Sequence, residues 1–413
     1  MKKKKIKNPL IKRIPRELLG DWKKYLVVAL FLILTIGFVS GMYVANESML
    51  IAANEGVTKY KLEDGHFELN KKADETLLAA IETGTKADVR QYYLDKAKKE
   101  LDEKLDEKAY PETYDKAWDK IVEEIDDKYA DAEEKYELND SDFTEVPVKV
   151  YENFFRNEEE DYNNDGEAEG NIRVYAKNDN VDLACLLDGA FPEKADEIAI
   201  DRMHADNVGV KVGDEISVSG QRFKVVGLIA YVNYATLHEK STDMMFDAIK
   251  FDVAMVTQEG FNSLHKTVHY SYTWNYVDTP ADEVEQKAKS DYFMKALLTQ
   301  VVCDDKELED YMPRYANPAI NFATDDMGSD KAMGGVLLDI LIVIIAFIFA
   351  VTISNTIVKE ASTIGTLRAS GYTRGELVRH YISMPVIVTL LAACIGNIPV
   401  SYTHLTLPTI CSV

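Results

Sequence analysis

Lys359-Glu-Ala-Ser-Thr-Ile-Gly-Thr-Leu-Arg-Ala-Ser-Gly-Tyr-Thr-Arg-Gly-Glu-Leu-Val-Arg-His-Tyr381 stands between two runs almost empty of charge. It is too short to be a domain, and a charged connector between apolar runs is the pattern of a loop joining two membrane spans. Thr373 with Glu376 three residues on is a capping box, which predicts a helix starting at Arg374. Gly371 lets the chain reverse just before it. The remaining residues, 360–370, read as a short element at the inner membrane surface, with Ile364 and Leu367 able to face one way and Arg368 another. A mere connector bearing positive-inside charges would account for the composition equally well.

Working outward, residues 336–358 carry only Asp339, and residues from 380 onward carry no Asp, Glu, Lys or Arg. A third such run lies at 25–44, and about 20 apolar residues suffice to cross a bilayer core. A secretory signal peptide is the rival reading of the first run. It would have a shorter apolar core and a small-residue cleavage site, whereas here the run continues into Ala45-Asn-Glu-Ser-Met-Leu-Ile-Ala-Ala53, which favours a retained anchor. Asp339 falls within a turn of the outer boundary, where a carboxylate reaches the headgroups at little cost. Pro385, in the run 380–399, predicts a kink unless it falls in the first turns of that helix.

Charge assigns a side to each piece. The 413 residues sum to −23, and 46% are apolar, which excludes a disulfide scaffold and a disordered chain; an acidic total also argues against nucleic acid. Yet residues 1–24 hold ten Lys/Arg against Glu17 and Asp21, and residues 359–379 are also net positive, whereas residues 46–335 total −32. By the positive-inside rule the tail and the connector are cytoplasmic and the acidic block is outside. The expected fold class is therefore an α+β membrane protein: transmembrane helices with a large extracytoplasmic domain made of a helical hairpin insert and a β-rich core. Its expected parts are a basic cytoplasmic tail (1–24), spans at 25–44, 336–358 and 380–399, an extracytoplasmic domain (45–335), and a cytoplasmic segment (359–379).

Within the outer block, Leu94, Ala97, Leu101 and Leu105 form one helical stripe and Tyr114, Ala117, Trp118, Ile121, Ile125 and Tyr129 another, with Pro111 near the second helix start. This predicts a charged hairpin over about 72–138. From 143 to about 265 the period shifts towards two. Strands at 146–151 and 171–175 are expected to flank an acidic loop, and short strands at 197–200, 215–218 and 223–226 are joined by Gly-Asp and Ser-Gly turns. The loop piece Asp161-x-Asn163-x-Asp165-Gly166 has the form of half a calcium loop, but its twelfth position is Ile172, so a solvated hairpin loop is preferred. Cys185 and Cys303 could bridge outside the cell or remain free. His66, His204, His238, His265, His269 and His380 show no metal-ligand spacing and read as scattered surface histidines or satisfied buried ones; no catalytic residue, metal site or cofactor is expected.

The connector resembles the signature of FtsX-like permeases, the membrane subunits of MacB-type ABC transporters, in its Glu-x-x-x-Ile-Gly-x-Leu-Arg-Ala-x-Gly pattern. The match falls on Glu360, Ile364, Gly365, Leu367, Arg368, Ala369 and Gly371. A second resemblance, to the extracytoplasmic core of the same family, lies in Glu197-Ile-Ala-Ile200, Val212-Gly-Asp214 and Lys224-Val-Val-Gly227. The resemblance implies that 360–370 is a coupling helix docking on a separate ABC-type ATPase. The sequence has no Gly-x-x-x-x-Gly-Lys-Ser/Thr phosphate cradle, in keeping with a nucleotide bound by a partner. It implies further a membrane-lipid environment, a second permease half, and export or extraction of a substrate through motion relayed by the helices flanking the outer domain. A regulator of a cell-wall hydrolase, or an antimicrobial-peptide sensor signalling to a histidine kinase, would share the architecture. The family would continue with a fourth span, but residues 400–409 resemble read-through of a sequencing-library adaptor. Residues 400–413, with Cys411, are accordingly expected to be non-native and the third span cut short.

Overall fold

The computed structural model describes residues 10–136 and 143–410. Helices α1 (Leu10–Gly20) and α2 (Trp22–Lys59) precede β1 (Gly65–Leu69), then come α3 (Glu75–Glu82), α4 (Val89–Lys104) and α5 (Pro111–Tyr136). Strands β2 (Val148–Glu152), β3 (Phe155–Asp161), β4 (Gly170–Ala176), β5 (Cys185–Gly189) and β6 (Glu197–Asp201) lead into α6 (Arg202–Val208). After it come β7 (Glu215–Val218), β8 (Gln221–Ala230), β9 (Phe251–Val256), α7 (Gln258–Ser263), β10 (Tyr270–Tyr276), α8 (Glu283–Cys303) and β11 (Leu308–Pro313). Helices α9 (Pro318–Lys359), α10 (Ala361–Ala369) and α11 (Arg374–Ile410) complete the described chain. Contacts divide it into two units: one spans residues 56–323, and the other is built from the chain up to residue 55 and from residue 324 on.

The 56–323 unit contains two sheets. The smaller is antiparallel, in the order β11-β1-β10-β2. Its alternation points Phe67, Leu69, Tyr272 and Trp274 to one face, where α3 and α8 cover them with Leu77, Ile81, Phe293 and Leu297. Gly65 sits opposite Trp274 because a Cβ there would strike the indole ring and the carbonyl of Met312.

The larger sheet runs β5-β8-β6-β9-β4-β3-β7, and β7 pairs with β8 as well as β3, so the sheet closes on itself. Closure removes open edges on either side of β7. The mixed order places β4 parallel to β9 and β6 parallel to β8. Ile172, Val174, Ile198, Ile200, Phe223 and Val225 fill one apolar core with Ala205 and Phe261 from the helices.

Several expectations are corrected here. The helical hairpin is α4 and α5 alone, with Pro111 opening α5; α3 instead buries Leu77 and Ile81 in the small-sheet core. The last residues of the expected hairpin range, 137 and 138, lie outside the described residues. The strand at 148–152 does not flank the acidic loop but pairs with β10 in the other sheet. The true partner of β4 is β3, whose inward positions are Glu158 and Glu160, so no apolar alternation announced it. The β-rich region also reaches beyond 143–265, because β1, β10 and β11 complete the small sheet. Cys185 and Cys303 are free thiols: Tyr60 Oη donates to Cys185 Sγ at 2.9 Å, and burial pushes the Cys303 thiol up to about 11.

The helices Trp22–Lys59, Pro318–Lys359 and Arg374–Ile398 are long and apolar enough to cross a membrane. Val28 and Leu32 of α2 pack against Ala392 of α11, with Ile345, Ile348 and Phe349 of α9 alongside. Gly396 allows the close approach: a Cβ there would lie 3.2 Å from the Ile33 carbonyl oxygen. Pro385 lies well inside α11 and not in its first turn, yet the helix runs unbroken from Arg374 to Ile410.

Candidate ATPase-coupling segment

Helix α10 sits between two of the apolar helices, and its geometry follows from its two ends. At the C-terminal end Gly371 adopts φ +96, its N–H bonds to the Arg368 carbonyl, and Tyr372 N–H reaches back to the Leu367 carbonyl. This is the Schellman arrangement, in which a left-handed residue satisfies the last carbonyls of the helix and turns the chain away. Thr373 Oγ1 and Glu376 then exchange hydrogen bonds across the first turn of α11, the capping box its sequence predicts.

At the N-terminal end Glu360 does not cap α10 with its side chain. Its carboxylate instead accepts from Tyr381 Oη at 2.7 Å and lies 3.6 Å from Arg13 of α1. Arg13 also bonds Glu17 at 2.8 Å, and Glu17 holds His380 Nε2 at 2.9 Å. Beside them Lys359 pairs with Asp21 at 3.1 Å, and that hydrogen bond holds the Asp21 carboxyl below its ordinary value. The group borders a cavity of about 500 Å³ lined by Arg13, Arg16, Asp21, Tyr25, Lys359 and Glu360.

Ile364 turns onto an apolar cluster of Tyr25, Tyr381, Met384 and Val388. Leu367 is half-buried, while Gly365, Arg368, Ala369 and Gly371 are exposed. Arg368 donates to the Tyr372 carbonyl oxygen at 3.2 Å, and a Cβ on Gly365 would meet open space. The seven residues singled out in the sequence thus separate into an inward pair, Glu360 and Ile364, and an outward set around Arg368. The inward partners Arg13, Glu17, His380 and Tyr381 were missed, because Arg13 and Glu17 come from the far end of the chain and no helical spacing links Glu360 to Tyr381, 21 residues on.

Of the histidines, His204 is fully buried and stands beside Glu160 and Asp252, a grouping that sequence spacing did not reveal. The acidic loop gathers Asp161, Asp165 and Glu169, the first, fifth and ninth positions of the calcium-loop pattern.

Residues 335–406, which contain α10 and all seven signature positions, match the FtsX-like permease C-terminal family. That stretch is similar to the C-terminal part of FtsX-like permeases. No curated protein matches it. Solved structures similar to it include the periplasmic region of MacB from Actinobacillus actinomycetemcomitans, at 11% identity and a TM-score of 0.24, covering 42% of this chain and 75% of that one. The extracellular domain of the noncanonic ABC-type transporter YknZ from Gram-positive bacteria is 12% identical with a TM-score of 0.23, covering 43% of this chain and 88% of that one.

Proposed function

We propose that the chain is the permease subunit of a MacB-type ABC transporter and that α10 is its coupling helix, docking on an ABC-type ATPase at the cytoplasmic membrane surface. The observation that carries this reading is the division of α10 into an anchored face, Glu360 and Ile364, and an exposed face bearing Arg368 beside half-buried Leu367. A helix built in this way offers a partner a small cationic patch while remaining attached to α11. The charge distribution supports an orientation with the tail and α10 in the cytoplasm and the acidic block, residues 46–335, outside.

In this mechanism ATP-driven closure of the partner moves α10, and Glu360–Tyr381 and Ile364 pass that movement to α11 and its neighbours. Coupling of this kind requires the ATPase to bind one conformation of the permease better than the other. Two permease halves, two copies or two different chains, would face each other. Substrate export or extraction is the expected output.

The test is co-purification of the detergent-solubilised chain with its cognate ATPase. Leu367→Asp with Arg368→Glu is expected to abolish capture while leaving the permease folded. Capture at the wild-type level would overturn the assignment of α10.

A further inference from the structure

Beneath α6, the larger sheet buries three ligand-type side chains that the coupling mechanism does not use. Glu160 of β3, His204 of α6 and Asp252 of β9 are each 0% exposed. Strand register explains how they meet. Glu158 lies opposite Ile172, which lies opposite Asp252, so Glu158, Glu160 and Asp252 share one face. Glu160 itself is opposite Gly170, which has no side chain to stand between it and β9. Asp201 then caps α6, accepting from the N–H groups of Met203 at 2.7 Å and His204 at 3.4 Å, which sets His204 over that face.

His204 Nε2 lies 3.3 Å from Glu160 Oε2, and one donor atom from each of the three residues falls within 4.8 Å of the others. Four atoms here have no hydrogen-bond partner among the described residues: Glu160 Oε1 and Oε2, Asp252 Oδ2 and His204 Nε2. Their outer bonds are in place. His204 Nδ1 is 3.0 Å from the Ala248 carbonyl oxygen, so its N–H donates there and the ring aims Nε2 at the cluster. Asp252 Oδ1 accepts from the N–H groups of Asp201 and Val253, at 3.1 and 2.7 Å, which aims Oδ2 at the cluster. Backbone bonds of this kind are what fix the orientation of metal-ligating histidines and carboxylates.

A proton on Nε2 would serve one carboxylate oxygen, and serving the other two by hydrogen bonds alone would take a further proton on a buried carboxyl. A divalent cation would meet all four atoms and neutralise two carboxylates with a neutral imidazole. The 3.3 Å separation is also close to the roughly 3.4 Å between ligands around a tetrahedral ion bound at about 2.1 Å.

We propose that Glu160, His204 and Asp252 form a binding site for a first-row divalent transition metal ion, with Glu160 bidentate. Mixed imidazole and carboxylate donors fit Zn²⁺ better than Ca²⁺ or Mg²⁺, which take oxygen alone. Bound there, the ion ties α6 to β3 and β9, strands far apart in sequence, and it strengthens the domain without taking part in transport chemistry.

The experiment uses the full chain in detergent, stripped with a chelator and reloaded with Zn²⁺. The wild type is expected to retain one Zn²⁺ per chain through desalting and to unfold several degrees higher with Zn²⁺ than without. Asp252→Asn and His204→Ala are expected to weaken retention at least tenfold, whereas Asp165→Asn in the neighbouring acidic loop retains it. Should His204→Ala fail to fold, the isosteric Asp252→Asn decides, together with the visible ligand-field absorption of the Co²⁺-loaded wild type. A wild type that retains no ion overturns the proposal, as does retention that survives Asp252→Asn or is lost in Asp165→Asn.

Discussion

Tyr381 Oη donates a 2.7 Å hydrogen bond to Glu360 Oε2, joining the first full turns of α11 to the residue that opens α10. The glutamate of the FtsX-like signature is therefore a latch within the chain, while Arg368 faces outward. This separates two kinds of variant. With α10 coupling as proposed, Tyr381→Phe is expected to leave capture of the ATPase within about twofold of wild type but to reduce ATPase stimulation by the reconstituted permease severalfold, because a docked helix without this bond would no longer drag α11. Arg368→Glu is expected to lose capture itself. Parallel capture and ATPase assays check the pair, and a Tyr381→Phe variant that also loses capture would show that the latch shapes the docking face.

Gly371 holds φ +96 at the C-terminal turn of α10, and a Cβ there would meet open space. Substitution thus costs only backbone strain. Gly371→Ala is expected to destabilise this turn by about 1–2 kcal/mol, and Gly371→Asn by less, since Asn enters the left-handed region more readily. Hydrogen exchange at the amides of Gly371 and Tyr372 checks this: protection should fall in the order glycine, asparagine, alanine.

Much of this segment could be read in advance because its determinants are local. Thr373 and Glu376 are three residues apart, and the capping box they predict is present. The two stripes of α4 and α5 likewise needed only helical periodicity. What sequence did not reveal depends on residues brought from afar. β3 escaped notice since its inward residues are Glu158 and Glu160, which read as loop composition, and their burial makes sense only once β4, β7 and β9 surround them. His204 looked isolated for the same reason: its partners lie 44 and 48 positions away, on different strands. The Arg13–Glu17–His380 group likewise joins the two ends of the chain.

Phe67 is fully buried and stacks on Tyr272 at 5.4 Å between ring centroids, with Trp274 at 6.2 Å and Phe293 at 6.5 Å. Removing its ring would leave a cavity lined by rigid aromatics that cannot collapse into it. Phe67→Ala is expected to cost about 3–5 kcal/mol and Phe67→Leu about 1–2 kcal/mol. Denaturant unfolding followed by near-ultraviolet circular dichroism measures both, and a cost for alanine below that for leucine would place the side chain outside the core.

Glu197 opens β6 and closes the turn before it. Its Oε2 accepts from the N–H groups of Glu193 and Lys194, at 2.9 and 3.1 Å, and its Oε1 pairs with Lys194 Nζ at 2.8 Å. These bonds, the Lys194 side chain first, hold the carboxyl down from 4.5 to about 2. A carboxyl depressed in the folded state stabilises the fold above its unfolded value, and that contribution fades as pH falls from 4.5 towards 2. Glu197→Gln keeps an acceptor for the backbone but loses the charge. The gap in unfolding midpoint between wild type and Glu197→Gln should therefore be full at pH 7 and smaller at pH 3, measured in the same detergent and salt. A gap of equal size at both pH values would mean that the glutamate acts through shape alone.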